Sequence, residues 1–463
     1  MMNKAASTVA AVQNKLPALA AFFEGKIYPV LIGILVFLGH TTKLEFWFNF
    51  PVMLSATLAL VICDSIRGFL PGMLMMLYQI TYEHGFSDYY FTPPVFVVLV
   101  VMVVLMGLCF IYFFIKHVLP LMRWHSPLLL PLAILSVFLL TNGLFSGEWR
   151  INNLYYSMLQ VLAYPIMFYA LLYGAKDERC EDTMEYVTLI ASVVALVVVG
   201  ELAVLYISGA VIVDGSIVKE NVHLGWGMWN PIGFTLTALI PLIMRGAIAG
   251  KHRTVYLVIA LAVWGGATLS MSRNAQLFST LTVATCVVIG AFSGKRKLLF
   301  RILLAAGVLG VLCVAVLFWD KLLPLAEKFL YDNGRFDLWK TALKNFTEAP
   351  IFGKGFYGFG QDNVFASFLP WLAHNTVLTM LSATGILGTL AYLFYRVCTA
   401  RIFIKNMNLD KLMLLLPILV TLGMSFIDNY TFHVYTTFIY TLSLATAVKL
   451  DGAWREPPQA QQL

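Results

Sequence analysis

Charge is what this chain has least of. Asp, Glu, Lys and Arg make up 12% of its 463 residues, about half the share of a soluble globular chain. That scarcity excludes the soluble domains, about three, that length alone would suggest. Cysteine is also sparse: Cys63, Cys109, Cys180, Cys286, Cys313 and Cys398 form no CxxC and no Cys/His pair. They read as small core or lipid-facing residues, not as disulfides or metal ligands. No Walker motif, zinc-binding His/Glu pattern, GxSxG or dinucleotide fingerprint stands out. The GxGxxG run at 353–358 follows no strand and is discounted. No internal repeat is visible. No cleavable signal peptide is expected, because the first apolar run starts near Ile27, after a soft basic-amphipathic start and without a clear cleavage site. The net charge of +7 calls for no nucleic acid, since cationic loops on one side of a membrane account for it.

Apolar length fills the space that charge leaves. Hydrophobic residues are 60% of the chain and mean hydropathy is +0.81. A spanning helix needs about 20 apolar residues. Segments of that kind lie near 27–40, 46–63, 68–80, 93–115, 128–145, 154–174, 187–211, 228–244, 254–270, 277–293, 299–318, 375–398, 411–427 and 433–448. The expected fold is an all-α polytopic membrane protein with about 12–14 transmembrane helices. The segment 68–80 is short and contains Pro71, so a re-entrant hairpin is as open as a span.

Lys and Arg set the expected orientation. They cluster at Arg245/Lys251/Arg253, Lys295/Arg296/Lys297/Arg301 and Arg396/Arg401/Lys405/Lys411, with weaker groups at Lys116/Arg123 and Lys176/Arg179. All fall on one side if the helices alternate, and that side is assigned to the cytoplasm together with both termini. The stretch 319–374 is then the one sizeable extracytoplasmic loop. Within it, Phe336, Trp339, Leu343 and Phe346 stand at helical spacing. Asp332, Asn333 and Gly334 provide a start signal and Pro350 a stop. A glycine-aromatic turn region follows, and the loop is expected to lie on the membrane surface or to cover a cavity beneath it.

Three cationic or titratable residues share the outer side: Arg273, Arg335 and His374. Arg273 reads either as an interfacial arginine snorkelling to lipid phosphates or as a guanidinium that grips a phosphate or pyrophosphate. Arg335 reads as a solvated charge, paired with Asp332 or Asp337, or as a second phosphate ligand. His374 is either an N-terminal helix histidine or a base for a hydroxyl nucleophile. Lys219, Glu220, Asn221 and His223 precede Trp226, Trp229 and Asn230, forming an interfacial aromatic belt or the wall of a sugar site. Lys354, between glycines, is a solvated lysine or a phosphate contact. Glu201 is an acid inside an apolar helix. Arg150, Asp428 and His433 also lie on the outer side, with no role assigned.

Three motifs resemble one family. In "HNTVLTMLSATGILG", His374-Asn375 is followed after nine residues by Gly385 and after two more by Gly388. This resembles the signature of the bacterial O-antigen ligase and polymerase superfamily. "RNAQL", with Arg273 and Leu277, is similar to that family's arginine-x-x-x-leucine motif. Residues 334–360 resemble its outer loop: Arg335, Trp339 four residues on, then Pro350 and the glycines. The resemblance covers about 190–450 and divides the chain into N-terminal helices at 1–189, a ligase-like region at 190–450 and a short tail at 451–463.

The resemblance implies a GT-C-like membrane glycosyltransferase of the bacterial inner membrane. Such an enzyme takes glycan from an undecaprenyl-pyrophosphate carrier on the outer face and passes it to a glycan or lipid-linked glycan acceptor, with no metal or other cofactor. Arg273 and Arg335 would hold the leaving pyrophosphate, and His374 would orient or deprotonate the acceptor hydroxyl. Asn375, Trp339, Lys354, Lys219, His223 and Asn230 are the candidate substrate contacts. Gly385 and Gly388 would permit close helix packing. Membrane lipid is a further partner, and a chain-length regulator or other polysaccharide-assembly protein is a candidate one. The three main residues are expected to converge on an outward-facing cavity under the loop. Two rival classes remain: a lipid-linked oligosaccharide flippase or polysaccharide transporter, and a non-catalytic assembly protein that docks partners on its loop. The lack of midplane charge and of repeats speaks against transport.

Overall fold

A computed structural model describes residues 17–80, 93–123, 125–147, 149, 157–175, 180–224, 227–317, 334–356 and 373–451. The two ends of the chain, Trp226, Lys176, Arg179, Asp332, Asn333 and most of the loop around 319–374 lie outside the described residues. Helices dominate. In chain order they are α1 (Pro17–Phe23), α2 (Ile27–Thr42), α3 (Glu45–Ile62), α4 (Leu70–Ile80), α5 (Pro93–Phe113), α6 (Leu129–Leu140), α7 (Tyr164–Tyr173) and α8 (Cys180–Ile207). They continue as α9 (Trp229–Ala249), α10 (Arg253–Leu269), α11 (Arg273–Ser293), α12 (Lys297–Leu317), α13 (Arg335–Glu348), α14 (Thr376–Ile404), α15 (Leu409–Met424) and α16 (Val434–Leu450). Two minimal antiparallel hairpins pair β1 (Ile212–Val213) with β2 (Ser216–Ile217), and β3 (His223–Leu224) with β4 (Gly227–Met228).

Each expected apolar segment holds a helix, and the chain is an all-α polytopic membrane protein. Among the described residues, six helices are long and apolar enough to cross a membrane by themselves, and seven if α1 and α2, bent by 63°, make one crossing. Others are shorter. The 17 residues of α10 extend about 25 Å, somewhat less than the ~30 Å hydrocarbon core. The 68–80 segment is an 11-residue helix, α4, preceded by a 3₁₀ turn at Ile66–Gly68.

The chain forms two compact units. The first comprises Met1–Trp124, Met167–Ser279 and Val448–Leu463. Its centre is α9, in which Ile232 to Ile248 are buried without interruption. Close approach is bought with small residues. A Cβ on Gly246 would stand 2.5 Å from the Tyr256 ring of α10, and one on Gly33 of α2 would stand 2.5 Å from Val193 of α8. Glu185 of α8 takes Lys26 at 2.9 Å and Lys251 at 3.3 Å, which ties the start of α2 to the α9–α10 turn.

The second unit comprises His125–Ile166 and Thr280–Ala447. Its distinctive element is α14, which is broken at Gly385 (φ 64°, ψ −165°). An unbroken helix would join the Ile386 and Leu387 amides to the carbonyls of Ser382 and Ala383. Instead residues 350–355 enter the break. Lys354 N–H donates to Ser382 (2.8 Å) and Gly355 N–H to Ala383 (2.9 Å), while Ile386 donates to Pro350 (2.9 Å) and Leu387 to Ile351 (3.4 Å). Two helix bonds are exchanged for four, so the carbonyls of Ser382 and Ala383 and the amides of Ile386 and Leu387 all keep partners. Gly385 sits about 14 Å along α14 from its start, near half the depth of a hydrocarbon core. Only glycine fits on either side of this joint. Gly353 and Gly385 both have positive φ, and a Cβ on either would come within 2.4 Å of the other segment's backbone. The expected role of Gly385 in helix packing is therefore replaced by a backbone joint. Gly388 does serve packing: its Cβ would meet Thr384 and, at 3.3 Å, Phe138 of α6.

Basic residues finish several helices. Lys411 is fully buried, and its ammonium donates to the carbonyls of Lys405 and, at 2.8 Å, Ile402 at the end of α14. Arg253 donates to Gly250 after α9. Clusters expected from loop charge thus also satisfy orphan carbonyls.

Candidate functional site

In the second unit the site residues gather at the start of α14. Asn375 is its N-cap. The amide oxygen accepts from Leu378 N–H at 3.1 Å, and the amide nitrogen donates to the Phe426 carbonyl at 3.0 Å. Thr376 N–H donates to Ser425 at 2.8 Å, so the end of α15 and the start of α14 are laced together. This lacing turns the chain through a left-handed residue at His374 (φ 47°), a conformation that costs a histidine of order 1 kcal/mol or more.

His374 meets Asp428 there. Its Nδ1 lies 2.8 Å from Asp428 Oδ1. The carboxylate also accepts from Asn429 N–H at 2.8 Å. An ionised carboxylate only accepts, so the imidazole carries a proton on Nδ1 and its Nε2 is left free of this contact. The His374 side chain is 41% exposed and that of Asp428 only 11%. Burial alone would raise the Asp428 pKa. The hydrogen bond and charge of His374, the charge of His433 and the Asn429 amide outweigh it and hold the group below the usual carboxylate range. The fully buried Tyr430 lies in the same field: burial and the Asp428 charge push its phenol up, and Arg335 pulls it down.

Arg335 opens α13, with Gly334 as the left-handed residue before it. Asp337, one of its expected partners, pairs with Lys340 instead (3.2 Å), and Arg335 forms no ion pair among the described residues. Trp339 packs beside Ala342, Ala373 and Leu378, so the helix rests on the residue next to His374. Phe336 and Leu343 are exposed on a separate stripe, as on a helix lying in a membrane surface. Lys354 is not a free loop lysine: its ammonium pairs with Glu348, and its backbone is fixed in the α14 joint. That contact draws the Glu348 carboxyl below its usual range.

The first unit holds the other candidates around the start of α11. Arg273 is its first residue, where the helix end adds positive potential. Beside it, Ser272 is buried and donates from Oγ to Asn230 Oδ1 at 2.8 Å. The adjacent Trp229 carries Lys219 over its ring at 4.8 Å and His223 edge-on at 5.9 Å. Lys219, His223, Trp229, Asn230 and Ser272 thus form one polar-aromatic group, with Arg273 next to Ser272 in sequence. Ser272 was not among the expected site residues. Nor was a role expected for Asp428, which lies 54 residues from its partner, and no local motif marks it.

Residues 256–393 match the family model for O-antigen ligase. That stretch is similar to the O-antigen ligase family. The match begins in α10, takes in Arg273, Arg335, Trp339, Lys354, His374 and Asn375, and ends in α14. The O-antigen ligase and polymerase superfamily consists of membrane glycosyltransferase-type proteins, and the domain implies a lipid-linked glycan donor and a glycan acceptor. Asp428, Trp229 and Asn230 lie beyond the matched stretch. No curated protein matches the chain.

Proposed function

We propose that this chain transfers or polymerises glycan from an undecaprenyl-pyrophosphate carrier onto an acceptor sugar at the outer face of the bacterial inner membrane. The observation that carries the proposal is the His374–Asp428 pair, a partly exposed imidazole held through Nδ1 by a buried carboxylate. In the proposed step, the acceptor hydroxyl gives its proton to His374 Nε2 while its oxygen attacks the anomeric carbon of the donor. The bond from that carbon to the phosphate oxygen breaks, and undecaprenyl pyrophosphate leaves with the electron pair. Asp428 stabilises the imidazolium that forms, as the third member of a nucleophile–base–orienter arrangement.

Arg273 and Arg335 are assigned to the pyrophosphate, whose charge rises as the bond breaks. Trp339, Asn375, Lys354, Lys219, His223 and Asn230 are assigned to substrate contacts. Asn375 and Lys354 act chiefly through the backbone they hold in place. Proton transfer by a His–Asp pair and charge stabilisation by two guanidinium groups cover the chemical needs of the step, so activity is expected to persist in EDTA.

The test is transfer by the purified full-length chain from an undecaprenyl-pyrophosphate oligosaccharide. Products that grow by whole repeats indicate a polymerase, the reading preferred here. A single transfer to a supplied lipid A core indicates a ligase. Arg335→Gln should lower the rate by about 10²–10³. Carrier crossing the bilayer with no glycan transferred would replace this reading with transport.

A further inference from the structure

The far end of α14 carries a second charged group that the proposed reaction does not use. Arg396 lies 11 residues beyond the joint at Gly385, roughly 16 Å along the second half of α14 at 1.5 Å per residue. That is about half the thickness of a hydrocarbon core, which carries Arg396 from the joint towards the headgroups at the end of α14 away from His374. Three tyrosine rings surround its guanidinium: Tyr392 at 4.6 Å, Tyr440 at 4.9 Å and Tyr395 at 5.2 Å. The hydroxyls of Tyr164 and Tyr395 bond to each other. Tyr395 reaches Tyr440 at 3.4 Å, and Tyr440 reaches Thr399 at 3.5 Å.

The cage supplies π faces and hydroxyls but no anion. Among the described residues no carboxylate pairs with Arg396; its Nε and Nη1 are buried with no hydrogen-bond partner, while the residue as a whole is half-buried. A cation held in an apolar bundle without a counter-ion is costly, and cation–π contact offsets only part of that cost. The missing partner is an acceptor with negative charge. The neighbouring residues of the same helix show where it would come from. Leu390, Leu393, Phe394 and Val397 are all exposed, forming an apolar strip that faces lipid and ends beside Arg396.

We propose that Arg396 and its tyrosine cage bind the phosphate of an anionic glycerophospholipid in the leaflet at that end of α14, with the acyl chains lying along the Leu390–Val397 strip. The guanidinium fork matches phosphate oxygens two at a time, and the tyrosines are the residues that line membrane interfaces.

The experiment is native mass spectrometry of the purified full-length chain, titrated separately with phosphatidylglycerol, phosphatidylcholine and inorganic phosphate. The wild type should retain one phosphatidylglycerol in preference to phosphatidylcholine. Arg396→Gln should weaken that retention about tenfold to a hundredfold, while Arg401→Gln, five residues on, should leave it intact. If Arg396→Gln is not recovered folded, Arg396→Lys carries the same test, since it keeps the charge and loses the fork. Its retention should fall several-fold. Equal retention by the wild type and the folded Arg396 variant would overturn the proposal. So would equal affinity for the two lipids, or displacement of phosphatidylglycerol by inorganic phosphate alone.

Discussion

At the scale of single residues, the account rests on which groups share a proton or a charge. Asp428→Asn keeps the shape of the His374 contact but removes the anion, so transfer is expected to fall by about 10²–10⁴ with carrier binding little changed. The pH dependence of stability has a definite sign. The Asp428 carboxyl is held below its unfolded value, so its contribution is full above the ordinary carboxylate pKa of about 3.9 and is lost as pH falls through the folded value. Thermal melts in detergent should therefore show the wild type more stable than Asp428→Asn at about pH 5, and the difference should shrink as pH falls below roughly 4. A difference that persisted undiminished to the acid limit of folding would contradict the assignment. The role proposed for His374 can be read from the sequence because a motif resembling the family's marks it. The role proposed for Asp428 cannot, because it rests on a contact across 54 residues that no spacing encodes. The partner expected for Arg335 was also misplaced, since Lys340 lies one turn from Asp337 and takes it.

At the scale of elements, the sequence was read well where a helix depends on its own residues. Every apolar run became a helix, and the helix over Arg335–Glu348 ends just before Pro350 as its stop signal indicated. The sequence was read poorly where an element depends on another. The break in α14 exists because residues 350–355 pair with it, and a lone glycine in an apolar run suggests packing before it suggests a joint. The face of α13 was likewise shared out by its neighbours: Trp339 and Ala342 turn inward and Phe336 and Leu343 outward. Gly385→Ala should destabilise the chain by at least about 1–2 kcal/mol from the left-handed backbone alone, with the clash against Ile351 added. Gly107→Ala in α5, where a Cβ would meet nothing within 4 Å, should leave the melting temperature unchanged or slightly raised. Thermal melts of the two variants side by side check this. Equal melting of Gly385→Ala and the wild type would remove the joint from the account.

At the scale of the whole molecule, composition alone marked a polytopic membrane protein, because little charge and long apolar runs leave few alternatives. Its orientation is inferred from the Lys and Arg clusters. A membrane-impermeant thiol reagent applied to intact cells should label Lys340→Cys above the wild-type background and leave Lys295→Cys unlabelled. Labelling of Lys295→Cys alone would invert the topology and move the proposed chemistry to the other face. The central claim is that His374 is the base of a glycan transfer, and its most direct test is His374→Asn, because asparagine tolerates the left-handed backbone at that position. Transfer from an undecaprenyl-pyrophosphate oligosaccharide should fall by about 10²–10⁴ while carrier binding matches the wild type. Wild-type transfer by the folded variant, or a loss of transfer that only mirrors lost carrier binding, would contradict it.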